Sequence, residues 1–104
     1  MENYYKAIKE ADPNATVVGP NHAYDPSYNE MLGFLNFCKT NDCLPDVITW
    51  HELQVSDLNN LNINNTNNSI QRYRSAARDA GVEEKQVVIN EYADFATAVF
   101  RAGL

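Results

Sequence analysis

Three short apolar runs recur along the chain: Ala15-Thr16-Val17-Val18-Gly19, Asp46-Val47-Ile48-Thr49-Trp50 and Gln86-Val87-Val88-Ile89-Asn90. Each is short and rich in β-branched or aromatic residues, which favours a buried strand over a helix. The segments between them carry a different period. Glu2 to Ala11 places Tyr4, Tyr5 and Ile8 on one face and stops at the turn signal Asp12-Pro13-Asn14. Tyr28, Met31, Leu32, Leu35 and Cys38 then follow at helical spacing. Ser69 to Ala80 sets Ile70, Tyr73 and Ala77 on one stripe, and Gly81 supplies a left-handed stop. A further helix is expected to begin at Ala93 and run to Ala102. Helix and strand in alternation predict an α/β fold with parallel strands, because strands joined through helices form right-handed βαβ units. No sequence repeat underlies the order, so the periodicity is architectural.

The 104 residues read as a single domain with one modest core. An eight-unit (β/α)8 barrel takes roughly 250 residues, so three strands correspond to a partial barrel of about three β/α units. Residues 55–68, rich in asparagine, are expected to form an irregular connection.

Charge narrows the partners. A formal net charge of −6 and a pI near 4.7 disfavour nucleic acid, which needs clustered Lys and Arg. Neutral substrates fit better. No apolar run approaches the roughly 20 residues that span a bilayer, and the amino terminus lacks the basic-then-apolar order of a signal peptide. No membrane contact is therefore expected. Cys38 and Cys43 flank Lys39-Thr40-Asn41-Asp42, where a disulfide can close the turn in an oxidising compartment; the alternative is two unpaired small side chains. Two thiols without nearby imidazoles are too few for structural zinc. No metal or organic cofactor is implied.

The third run ends abruptly in an acid, Asn90-Glu91-Tyr92. A strand that delivers a carboxylate at its carboxyl end is how an α/β barrel presents a catalytic group, which makes Glu91 the leading catalytic candidate. Simple alternation assigns faces. Val87 and Ile89 should share the face of Glu91, with Val88 and Asn90 opposite. His51 should share a face with Thr49 and Val47, leaving Trp50 and Ile48 against the helices and Glu52 pointing away from the pocket. Asn21 should follow Gly19 and Val17 if the strand path continues through Pro20. Three strand ends then offer Asn21, His51 and Glu91 to one pocket.

Three segments together carry a resemblance: Ala11-Asp12-Pro13-Asn14-Ala15-Thr16-Val17-Val18-Gly19-Pro20, Pro45-Asp46-Val47-Ile48-Thr49-Trp50-His51-Glu52 and Val87-Val88-Ile89-Asn90-Glu91-Tyr92. Their order and spacing resemble strands five to seven of retaining glycoside hydrolase barrels of the clan that includes family 39, over nearly the whole chain. The resemblance implies that Glu91 is the nucleophile, that the substrate is a β-linked glycoside, and that His51, Asn21, Trp50, Glu52 and Tyr92 are candidates for substrate binding. It also implies a secreted or extracellular parent. The acid/base glutamate of such enzymes ends strand four, upstream of any matching residue here. A retaining mechanism needs two carboxyl groups about 5–5.5 Å apart, so the chain alone is expected to be inactive, with self-association as one way to cover a truncated barrel.

Each candidate has a plainer reading. Glu91 can cap a following helix, whose dipole favours negative charge. His51 can be a structural imidazole. Trp50 can belong to the core, and Tyr92 and Tyr24 to the surface. Glu52 can become an acid/base only if a bulge reverses it; otherwise it bonds a loop or a sugar hydroxyl. The sequons at Asn14, Asn64 and Asn67 read as chance matches. The alternative function, of another class, is a small freestanding α/β module that binds or interacts without catalysis.

Overall fold

The computed structural model describes residues 1–54 and 63–94. Its elements are α1 (Glu2–Ala11), β1 (Val18–His22), α2 (Tyr28–Thr40), β2 (Val47–Gln54), α3 (Ile63–Ala80) and β3 (Gln86–Asp94). The three strands form one parallel sheet in the order β1-β2-β3. The expected α/β class with parallel strands is thus present, as three strands and three helices.

The strand bounds differ from the sequence reading for identifiable reasons. β1 begins at Val18 rather than Ala15 because the preceding backbone is engaged elsewhere. Val17 N–H donates to Asp46 Oδ2 at 2.8 Å, and Val17 O accepts from Asp46 N and Val47 N at 2.8 and 3.2 Å. β2 continues past Trp50 to Gln54, and β3 continues through Glu91 to Asp94 because Glu91, Tyr92, Ala93 and Asp94 keep partners on β2. Ala93 and Asp94 therefore belong to a strand, not to the expected helix, whose remaining residues 95–102 lie outside the described residues. α3 starts at Ile63, inside the segment expected to be irregular. Asparagine costs a helix well under about 1 kcal/mol per residue, a penalty that the context of a long helix overrides. Residues 55–62 lie outside the described residues.

The core sits on one face of the sheet. Met31 and Leu35 of α2 meet Tyr73, Ala76, Ala77 and Ala80 of α3 over Ile48 and Trp50 of β2, with Val87 and Ile89 of β3 packed against them. The Trp50 and Tyr73 rings lie 6.2 Å apart, tilted by 54°. The Tyr73 hydroxyl accepts from Lys85 N–H at 2.7 Å, so its burial leaves its oxygen satisfied. α2 opens on a capping box in which Ser27 Oγ accepts from Glu30 N–H and the Glu30 carboxylate accepts from Ser27 N–H. Gly81, at φ +70°, ends α3 as expected, and Lys39 Nζ donates to Ala80 O at 3.0 Å.

The other face of the sheet is bare. Val18 and Val88 remain 48% and 40% exposed, so none of the described elements covers it. α1 does not cover it and buries no residue of its own: the expected Tyr4, Tyr5 and Ile8 face stays outside the core, with Tyr4 75% exposed. The helix is held instead through Lys9, whose ammonium donates to Ala15 O at 2.6 Å and Asp46 Oδ2 at 2.8 Å.

The disulfide alternative is not realised. Cys38 and Cys43 are free and fully buried, joined through Cys43 N–H to Cys38 O at 2.9 Å. Burial, reinforced by the neighbouring Cys43, pushes the Cys38 thiol up to about 12. Among the described residues, no helix is long and apolar enough to cross a membrane.

Candidate functional site

A cluster of polar side chains gathers at the carboxyl ends of the strands, on the bare face: Asn21 of β1, Thr49 and His51 of β2, Asn90 and Glu91 of β3. Parallel strands with short connections bring such ends together at one rim, where ligands of α/β folds collect. His51 Nδ1 lies 3.4 Å from Glu91 Oε2; the imidazole side chain is 20% exposed and the carboxylate 59%. Glu91 is thus open to solvent on one side and faces the imidazole of His51 on the other.

Two bulges build this arrangement. Pro20 pairs with Thr49 but His22 pairs with Trp50, which makes Asn21 an extra residue in β1. Its φ of 57° is left-handed, a region asparagine tolerates better than most residues. Ile89 pairs with Trp50 but Glu91 pairs with His51, which makes Asn90 the extra residue of β3. The extra residues face each other over β2: Asn90 Nδ2 donates to Asn21 Oδ1 at 2.8 Å. Thr49, 2% exposed between them, donates its hydroxyl to Asn21 Oδ1 at 2.6 Å and accepts from Asn21 N–H at 3.2 Å.

Alternation held on β2 and failed on its neighbours. Ile48 and Trp50 face the helices as expected, while Thr49 and His51 join the open-face cluster. On β3 the expectation is corrected: Val87 and Ile89 pack with the helices, so they do not share the face of Glu91, and Asn90 faces the cluster rather than away from it. On β1, Gly19 pairs with the core residue Ile48, so Asn21 reaches the open face through the bulge and not by following Val17 and Gly19.

Two proposed substrate contacts lie on the wrong side of the sheet. Trp50 is fully buried in the core, and its indole N–H donates to Glu52 Oε1 at 2.7 Å. Glu52, 1% exposed, therefore reaches into the helix layer, where it can serve neither as an acid/base nor as a sugar contact. The side chain of Tyr92 lies outside the described residues. Tyr24 is 55% exposed on the loop after β1, which is strapped to α3 by Arg72: its guanidinium donates to Asp25 Oδ2 at 2.8 Å, Ser69 Oγ at 3.1 Å and Pro26 O at 3.4 Å. Thr49 and Asn90 were not anticipated as site residues. The available signal was a pair of asparagines at strand ends, since that side chain is the one suited to bulged, left-handed backbone. Among the described residues no group of three His, Cys, Asp or Glu side chains is placed to hold a metal ion.

No protein-family model matches the chain, and no curated protein matches it. Among solved structures it is similar to N2152 from Neocallimastix frontalis, at 33% sequence identity and a TM-score of 0.75. The match covers 89% of this chain and 21% of that one, so the chain spans about a fifth of that protein's length.

Proposed function

We propose that the chain is part of a (β/α)8 barrel of a retaining glycoside hydrolase that cleaves β-linked glycosides, with Glu91 as the nucleophile. The observation that carries the reading is the meeting of Glu91 with His51 at the carboxyl rim of a parallel sheet, on the face that no described helix covers. In a closed barrel that face is the interior and that rim is the active site. The match to about a fifth of a longer solved chain is consistent with a segment of a larger fold.

In this mechanism the exposed Oε atoms of Glu91 attack the anomeric carbon and form a glycosyl-enzyme ester. His51 orients the carboxylate through its Nδ1–H, and Asn21 offers its amide to a sugar hydroxyl. The leaving group takes its proton from a second carboxyl supplied by a strand outside the chain, and water then hydrolyses the ester. Glu52 does not fill that second role, because it is bonded to Trp50 on the opposite face.

The test is covalent trapping. A polypeptide carrying these residues together with upstream β/α units, treated with a 2-deoxy-2-fluoro β-glycoside bearing an activated leaving group, should accumulate a glycosyl ester on Glu91, read by peptide mass spectrometry. A label on another carboxylate, or full activity in Glu91→Gln, sinks the assignment. The 104 residues by themselves should show no turnover.

A further inference from the structure

We infer that Thr49 and Asn90 are positioning residues that together fix the two bulges, and through them set where Asn21 and Glu91 point. The geometry requires no substrate; only its use by a sugar rests on the glycoside hydrolase reading.

Without the extra residue in β3, alternation returns Glu91 to the side of Val87 and Ile89, among the helices. With Asn90 inserted, Glu91 pairs with His51 on the open face. A bulge leaves the ladder locally disrupted, so something else must hold the extra residue. Here the Asn90 side chain spans the central strand and donates to Asn21 Oδ1 at 2.8 Å, tying the bulge of β3 to the bulge of β1. Thr49 stands beneath that tie and satisfies Asn21 twice, donating to its side chain and accepting from its backbone N–H.

The same bonds decide which way the Asn21 amide faces. Its Oδ1 accepts from both Thr49 and Asn90. The reversed orientation takes that acceptor from the hydroxyl hydrogen of Thr49, which is 2% exposed, and none of its other hydrogen bonds among the described residues supplies one. Burying an unsatisfied donor is costly, so the amide stays as found. Its two N–H groups are thereby left for the open face, where they suit an acceptor oxygen such as that of a sugar hydroxyl.

NMR on the isotope-labelled 104-residue chain tests the proposal without any ligand. Three readouts matter: the carbon shifts that report a left-handed Asn21, the proximity of the His51 ring to the Glu91 methylenes, and solvent exchange of the two asparagine amides. In the wild-type chain, diluted until it is monomeric, the Asn21 side-chain amide should exchange freely and one Asn90 amide proton should be slowed. Thr49→Val and Asn90→Ala should each lose the left-handed shifts and the His51–Glu91 proximity while keeping the Trp50–Tyr73 contact. Thr49→Ser, which keeps the hydroxyl, should restore both. If Thr49→Val does not fold, Asn90→Ala decides alone, because its exposed side chain contributes nothing to the core. Survival of the left-handed Asn21 and of the His51–Glu91 contact in Asn90→Ala overturns the proposal. Absence of glycosidase activity does not bear on it.

Discussion

Glu91 keeps most of its carboxylate in solvent and, among the described residues, is paired with His51, so its loss should be cheap for the fold. Glu91→Gln is expected to change unfolding free energy by less than about 0.5 kcal/mol, as surface substitutions do. Urea denaturation checks this; a cost above about 2 kcal/mol would mark the residue as a structural acid. Trp50 behaves oppositely. Trp50→Phe empties part of the core and removes one donor to Glu52, for an expected loss of about 2–3 kcal/mol in the same measurement. The contrast also shows where residue-level reading of the sequence fails. Period-two alternation sorted Thr49, Trp50 and His51 because β2 carries no extra residue up to that point. It missorted Val87, Ile89 and Asn90 relative to Glu91, and Val17 and Gly19 relative to Asn21, because one inserted residue reverses the faces on its two sides, and nothing in a string of residues announces the insertion.

At the scale of elements, two ties set what each piece contributes. Ser27→Ala removes one half of the α2 capping box and should cost about 1 kcal/mol, visible as faster amide exchange in the first turn of α2. The second tie is pH-sensitive. Lys9 and the Val17 N–H hold the Asp46 carboxyl below its ordinary value. A carboxyl whose folded pKa is depressed contributes its full stability above the unfolded value of about 4 and loses it as pH falls through the folded value. The Asp46 side chain is 37% exposed, so solvent screens the pair and its worth at neutral pH is at most about 1 kcal/mol. Asp46→Asn should therefore lower stability near pH 7 and converge with the wild type in acid, a convergence that denaturation at several pH values reveals. Helix identity was legible from spacing, and Gly81 marked an end correctly. The bounds of β1 and α3 were not legible: a carboxylate 29 residues away holds Val17 out of the ladder, and helical context carries α3 back into asparagines that favour turns in isolation.

At the scale of the molecule, the described residues present a sheet covered on one side only. Parallel sheets are ordinarily covered on both faces, and their strands are correspondingly apolar on both. Here α2 and α3 cover one face, Val18 and Val88 are exposed on the other, and β1 and β3 are edges of the described sheet. Exposed edges of this kind template further pairing. The isolated 104-residue chain should accordingly associate in solution through this face and these edges. Sedimentation equilibrium across a wide concentration range should show a weight-average mass above the 11.7 kDa monomer that falls on dilution. Val88→Lys places a charge on the bare face without touching the core cluster, and it should shift the association toward monomer while leaving the unfolding free energy of the dilute monomer within about 0.5 kcal/mol. A chain that stays strictly monomeric at millimolar concentration, with cooperative unfolding, would show that water tolerates the open face. The barrel reading would then lose one of its supports, leaving the meeting of Glu91 with His51 to carry it, while the hydrogen-bonded rim of Asn21, Thr49 and Asn90 would still require an account of its own.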